Sequence, residues 1–265
     1  VLVNRVWGWH FGEGLVRTPD NFGQLGEEPS HPRLLDHLAA TFLHDGWSLK
    51  RLHRRIMLSS VYRQASTSRE SAMVVDADNR FLWRVSRRRL EAEPFRDAML
   101  AVAGGLDSQM FGTFQKWKPK LFSVDDSNSE TANFKTRRRS LYMPVVRTTL
   151  QEMMELFDVG DPNSINSRRT NTTVAHQALF LLNNEFVQER AQGLADRVLA
   201  HSGDEGGQIE QAWWLVLSRP PTSVEKSRAV EFLAGARKTA GGNSRRAWTS
   251  LARALFSLNE FLFVD

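Results

Sequence analysis

TTVAHQALFLLNNEFVQERAQGLADRVLA, residues 172–200, is the stretch on which the fold turns. Its first half is apolar on nearly every face, with Val174, Ala175, Ala178, Leu179, Phe180, Leu181 and Leu182 in close succession. A helix of that kind needs neighbours on all sides. In the second half Phe186, Val187, Ala191, Leu194, Ala195, Val198 and Leu199 recur at three-and-four spacing, leaving one amphipathic stripe. The stretch predicts one long central helix, buried at its start and half exposed at its end. About ten buried side chains at roughly 1.5 to 3 kcal/mol each would make it a main source of the hydrophobic term. Just upstream, SINSRRTNT sets Arg168, Arg169 and Asn171 among Ser, Thr and Asn residues of the type that cap helices. Two guanidiniums beside a helix N-terminus form a candidate anion site. Pairing of both with carboxylates is the competing reading.

Outward from that stretch, further helices are predicted to pack on it. Residues 1–11 place Val3, Val6, Trp7 and His10 or Phe11 on one face, and Gly12 ends the helix. Ser30 and Pro32 start a second, with Leu34, Leu35, Leu38, Ala39, Phe42 and Leu43 as its stripe and Gly46 as its stop. Ser48 caps a third that turns Leu49, Leu52 and Ile56 inward. Another helix carries Phe95, Ala98, Met99 and Val102, with Pro94 tolerable only near its first turn. Beyond the central stretch come QIEQAWWLVLSR, a capping box of Thr222 with Glu225, and a closing helix in RRAWTSLARALFSLNEFLFV. The alternation of RRSLYMPVV suggests a small two-stranded β-ribbon, Lys120–Val124 with Ser140–Val145. The expected fold is mainly α, one irregular helical domain over residues 1–265. The start at Val1, inside a helical pattern, suggests a piece of a longer polypeptide.

Composition narrows the function. Cysteine is absent, which excludes disulfides, thiolate nucleophiles, zinc-thiolate sites and c-type haem attachment within these residues. No run of eighteen apolar residues predicts a membrane span. The net charge of +5 rests on 28 arginines and 7 lysines, spread in pairs and triplets with no basic helical stripe, so nucleic acid is not the expected partner. There is no G-x-S-x-G elbow, Walker loop, dinucleotide fingerprint or H-E-x-x-H.

Candidate site residues gather at the long loop GLVRTPDNFGQLGEEPSHP. A loop of this length is usually functional or held by its own side chains, and Leu15, Val16, Phe22 and Leu25 could anchor it. Arg5, His10, Asp20, Asn21 and His31 are its candidate binding residues. His10, His31 and Asp20 also offer a candidate hydrolytic site, although two imidazoles are too few for a stable metal site and no metal is expected. Trp7, Trp9 and Trp117 have polar neighbours that suit a binding role, whereas Trp213, Trp214 and Trp248 lie in apolar helical settings.

NRVWGWHFGEGLVRTPDNFG, SHPRLLDHLAATFL, GWSLKRLHRRIMLSSVYRQ, NRFLWRVSRRRLEAE, RRSLYMPV, TNTTVAHQALFLLNNEF, LSRPPT and LNEFLFVD occur here in order. Together they resemble the planctomycete-type domain of unknown function, family 1553, over nearly the whole chain. The resemblance implies a C-terminal position in an exported protein, after a cytochrome c-type module. It implies an extracytoplasmic location, with a c-type haem carried by that other domain and none in this segment. Relatives often carry a cysteine near the position of Asn166, so no thiol role transfers to this chain. Two functions are expected as alternatives. One is a non-catalytic helical module that docks a haem domain or binds an extracellular polymer such as a glycan polysaccharide. The other is a hydrolase or redox enzyme with a His/Asp site near the 12–32 loop.

Overall fold

The computed structural model describes residues 1–111, 136–143, 145, 147, 150–164, 166, 169, 171–201 and 203–264. Among the described residues it is mainly helical, with a single two-stranded antiparallel sheet. Contacts divide the described chain into two compact units. One holds residues 1–88, 166 and 264, and the other the described residues among 89–164, 169 and 171–263.

The first unit begins with α1 (Leu2–Phe11), α2 (Pro32–His44) and α3 (Leu49–Met57). Each is amphipathic, and their inner faces meet in a small core of Val3, Val6, Trp7, Leu15, Leu38, Phe42, Leu52 and Ile56. Gly12 ends α1 at φ +84°, a left-handed position that favours glycine, and its N–H bonds the Gly8 carbonyl. Ser48 caps α3 as expected, accepting from the Arg51 N–H. At α2 the N-cap is His31, one residue beyond the expected Ser30, and no side chain caps that end. Leu43 and Leu49, expected inside, are exposed. The polar stretch after α3 holds a short α4 (Glu70–Val75), and Asp76 organises the following turn by accepting from the Arg80 and Phe81 N–H groups.

In the second unit α5 (Ala92–Val102) and α6 (Glu152–Leu156) precede α7 (Ala175–Asn183) and α8 (Glu185–Leu199). The expected single central helix is therefore two. Asn184 breaks it with an extended ψ of 138°, and its side chain accepts from the Phe186 N–H to cap α8. Burial is also inverted. Leu179 and Leu182 in the first half are exposed, whereas Val187, Ala191, Leu194, Ala195 and Val198 of α8 are buried. A short helix surrounded on every side would need more neighbours than this unit supplies, so α7 keeps only Gln177, Phe180 and Leu181 inside.

Helix α8 packs chiefly on α11 (Ser244–Phe256) and also on α9 (Glu205–Leu217), while α10 (Ser223–Thr239) packs on α11 and α9, and α12 (Asn259–Leu262) follows α11. The Thr222–Glu225 capping box is present at the start of α10. At the crossing of α8 with the end of α5, Gly193 sits so close to Ala103 that a Cβ there would meet its Cβ and O at 3.1 Å. The ribbon pairs β1 (Arg88–Arg89) with β2 (Phe263–Val264). The expected ribbon lies elsewhere. Its 120–124 strand falls outside the described residues, and Ser140–Tyr142 forms a 3-10 turn.

Candidate functional site

Asn4 builds the loop after α1. Its buried side-chain oxygen accepts from the Val16 N–H at 2.8 Å, and its amide donates to the Val16 carbonyl at 3.0 Å. This is the pairing one strand makes to another, supplied by a single side chain. It satisfies both backbone groups of a residue that is buried with Leu15. Gly14 is required beneath the clamp, because a Cβ there would lie 2.6 Å from the Asn4 amide. Farther along, Thr18 Oγ1 accepts from the Glu27 N–H and donates to the Asn21 carbonyl, and Asn21 Nδ2 donates to the Leu25 carbonyl. The loop is ordered, as its apolar residues suggested. Leu15 and Val16 are its anchors, but Phe22 is 37% and Leu25 88% exposed. Its tip carries two apolar side chains in water, beside the exposed Asp20 and Asn21. Residues 12–31 hold four carboxylates, Glu13, Asp20, Glu27 and Glu28, against one arginine, Arg17, in a chain of net charge +5.

His10 and His31, joined in one candidate site by the sequence, take different partners. The His10 ring meets His53 of α3, Nε2 to Nδ1 at 2.7 Å, with Tyr62 edge-on at 5.3 Å. Burial first, then His53 and the Arg88 charge, hold the His10 pKa below the ordinary 6.5. One nitrogen of the pair donates and the other accepts, so at least one of the facing atoms carries no proton. His31 Nδ1 instead bonds Ser30 Oγ at 3.0 Å and its ring packs against Phe81. Arg5 is exposed on α1. Among the described residues no group of three or more His, Asp or Glu side chains could hold a metal ion.

The arginines before α7 divide. Arg168 lies outside the described residues. Arg169 forms a fork on Glu93, at 2.6 and 2.9 Å, and reaches Glu91 at 3.0 Å, which is the carboxylate reading of its charge. Burial alone would raise the Glu93 pKa, but the Arg169 hydrogen bonds and charge outweigh it and hold it low. The exposed Asn171 precedes Thr172, whose N–H and hydroxyl bond Asp158 while its carbonyl accepts from Arg89. Gln177 then turns its side chain back to the Val174 N–H and the Leu156 and Thr172 carbonyls. The N-cap Val174 N–H of α7 is thus engaged by the protein's own Gln177.

Sequence reasoning passed over Asn4, His53 and Tyr62. A polar residue amid Val3, Val6 and Trp7 was the available signal for Asn4. His53 shares no local spacing with His10, 43 residues away. Of the tryptophans, Trp7 is buried rather than displayed, Trp9 is exposed, Trp117 lies outside the described residues, and Trp214 is exposed rather than core. Among the described residues no helix is long and apolar enough to cross a membrane. Comparison with curated proteins and with solved structures finds no match. A family model does match, over residues 1–233, so the chain belongs to the family described as PSD1, protein of unknown function (DUF1553).

Proposed function

We propose that this chain is a non-catalytic helical module that docks a partner domain through the clamped loop of residues 12–31. The observation that carries the reading is the Asn4 clamp, which fixes a loop with an apolar tip and an acidic flank before any partner arrives. Ordering a mobile loop on binding costs about 0.5 to 1.5 kcal/mol per immobilised side chain, and a pre-formed loop avoids most of that. Exposed Phe22 and Leu25 supply a desolvating centre, and Asp20, Glu27 and Glu28 a rim suited to a basic surface. The partner to test first is the cytochrome c-type module expected in the same extracytoplasmic polypeptide, where the haem would reside. Titrating that module with this chain should give saturable binding that weakens with salt. Leu25→Asp with Phe22→Ala should weaken it by about tenfold or more while circular dichroism stays unchanged. Absence of binding at high micromolar protein would remove the reading.

A second reading rests on the His10–His53 contact. A neutral imidazole of lowered basicity can accept a proton at neutral pH, which is what a hydrolytic site would require. If the full-length protein shows a hydrolytic or redox activity, His10→Gln and His53→Gln should each abolish it without unfolding the chain. Unchanged activity in both variants eliminates this reading.

A further inference from the structure

We infer that the second unit carries a saccharide-binding cleft, distinct from the loop and independent of the docking reading, between α8, α10 and α11. The cleft is an open groove of about 960 Å³, within the size range of small-molecule sites, and is lined by Gln188, Gln192, Phe232, Gly235, Arg246 and Ser250 among others. Gln188 and Gln192 stand one turn apart on α8, and among the described residues neither amide has a hydrogen-bond partner. Each amide offers two donors and an acceptor, and roughly 5 to 6 Å separates their Cβ atoms. That spacing lets the pair address hydroxyls across one pyranose ring. Phe232, 43% exposed, presents a phenyl face of the kind that covers the C–H side of a sugar.

Charge selects among saccharides. Arg245 is already held by Asp196, at 2.5 and 2.8 Å, so it adds little net field. Arg246 is exposed and makes no ion pair among the described residues, which leaves one uncompensated guanidinium at the cleft. A phosphate-rich ligand such as a nucleotide would call for several such charges. One matches a saccharide with a single carboxylate or sulfate every few rings. A peptide that binds by adding a strand is also a poor fit, since the walls are helices whose backbone groups are internally bonded and offer no strand edge.

An exposed glycine of the lining supplies a clean test. Gly235 lies inside α10, and a Cβ built there meets nothing within 4 Å. Gly235→Leu sets a side chain at the cleft, its Cβ clear of every neighbour, and leucine favours a helix interior more than glycine does. Calorimetric titration of the whole chain should use a uronate oligosaccharide, a sulfated oligosaccharide and a neutral glucan oligosaccharide. At least one acidic sugar should bind, and more tightly than the neutral one. Gly235→Leu and the double variant Gln188→Ala, Gln192→Ala should each weaken that binding by about tenfold or more. Arg246→Ala should erase the preference for the acidic sugar, and Leu25→Asp in the loop should change nothing. Preference for the uronate or for the sulfate decides which anion Arg246 takes. The inference falls if no sugar in the panel binds, if Gly235→Leu binds as well as the parent chain, or if the neutral glucan binds equally and Arg246→Ala has no effect.

Discussion

At the residue scale, buried polar groups that bond largely to backbone carbonyls and amides hold each unit, Arg96 adding the Ser140 hydroxyl and the Asp97 carboxylate to its partners. Asn4 is the case in the first, and Arg96 in the second. Arg96 is 1% exposed, and its guanidinium donates to the Arg138 carbonyl at 3.0 Å, to Ser140 Oγ at 3.2 Å and to the Thr136 carbonyl. Asp97 completes the knot by accepting from the Ser140 N–H and hydroxyl. Removing such a donor strands acceptors in a dry interior, at about 1 to 3 kcal/mol for each neutral group. Asn4→Ala leaves both the Val16 N–H and carbonyl without partners, so it should destabilise by about 2 to 4 kcal/mol in urea unfolding. It should also open residues 12–31 to proteolysis before the helices are cut. Arg96→Met should cost about 3 to 5 kcal/mol, because a buried network loses its centre. Neither role was legible in the sequence. An arginine that will pair with a carboxylate and one that will bind carbonyls look alike in composition, and which neighbours they meet depends on tertiary contacts more than 40 residues away in sequence.

At the element scale, periodicity and caps carried far. The helices of residues 1–11, 32–44 and 49–57 were legible because a stripe and a terminal signal agreed at each, whereas that of 223–239 was legible from its capping box, with Val230 and Phe232 of its apolar set exposed. The central stretch was not, because its apolar residues fill every face of the first half and conceal where one helix stops. The Asn183–Asn184 pair was the only local mark of the break, and asparagine is common enough within helices to be passed over. Asn184→Ala removes the cap of α8 and should cost about 0.5 to 2 kcal/mol, read as a lower midpoint in thermal unfolding. The contact of Gly193 with Ala103 gives a sharper expectation. Gly193→Val adds two methyl groups where a single Cβ is already at 3.1 Å, so it should cost about 1 to 3 kcal/mol by overpacking, despite valine's better helix propensity. Gly193→Val together with Ala103→Gly should recover part of that loss, since the second substitution withdraws the Ala103 Cβ while the carbonyl oxygen of that residue stays in place.

At the scale of the whole molecule the two units should respond to acid in different windows. In the first, His10 has a pKa below 6.5 in the folded chain, so the unfolded state binds more protons as pH falls past that value. The stabilisation from neutral His10 is complete above pH 6.5 and is lost as pH falls towards the folded value. In the second unit the displaced groups are carboxylates. Hydrogen bonds from Arg219 pull Glu225 from 4.5 down to about 2. Burial alone would raise Asp158, but bonds from Thr172 and Arg89 outweigh it, and Arg245 lowers Asp196. For Glu225 the stabilisation is complete above the ordinary carboxylate range and is lost only as pH falls from about 4.5 towards 2, and for Asp158 and Asp196 it is likewise lost as pH falls below that range. Amide hydrogen exchange, corrected for the intrinsic pH dependence of the chemistry, should show α1 and α3 losing protection between pH 7.5 and 5.5 while α8 and α11 keep theirs. Below about pH 4.5 the loss should spread to α10 and α8. His53→Gln removes the charge of His53 and leaves its burial of His10 nearly intact, so it should narrow the first window without moving the second. Protection in α1 that is flat from pH 7.5 to 5.5 would show that the His10–His53 contact contributes nothing to holding these helices together.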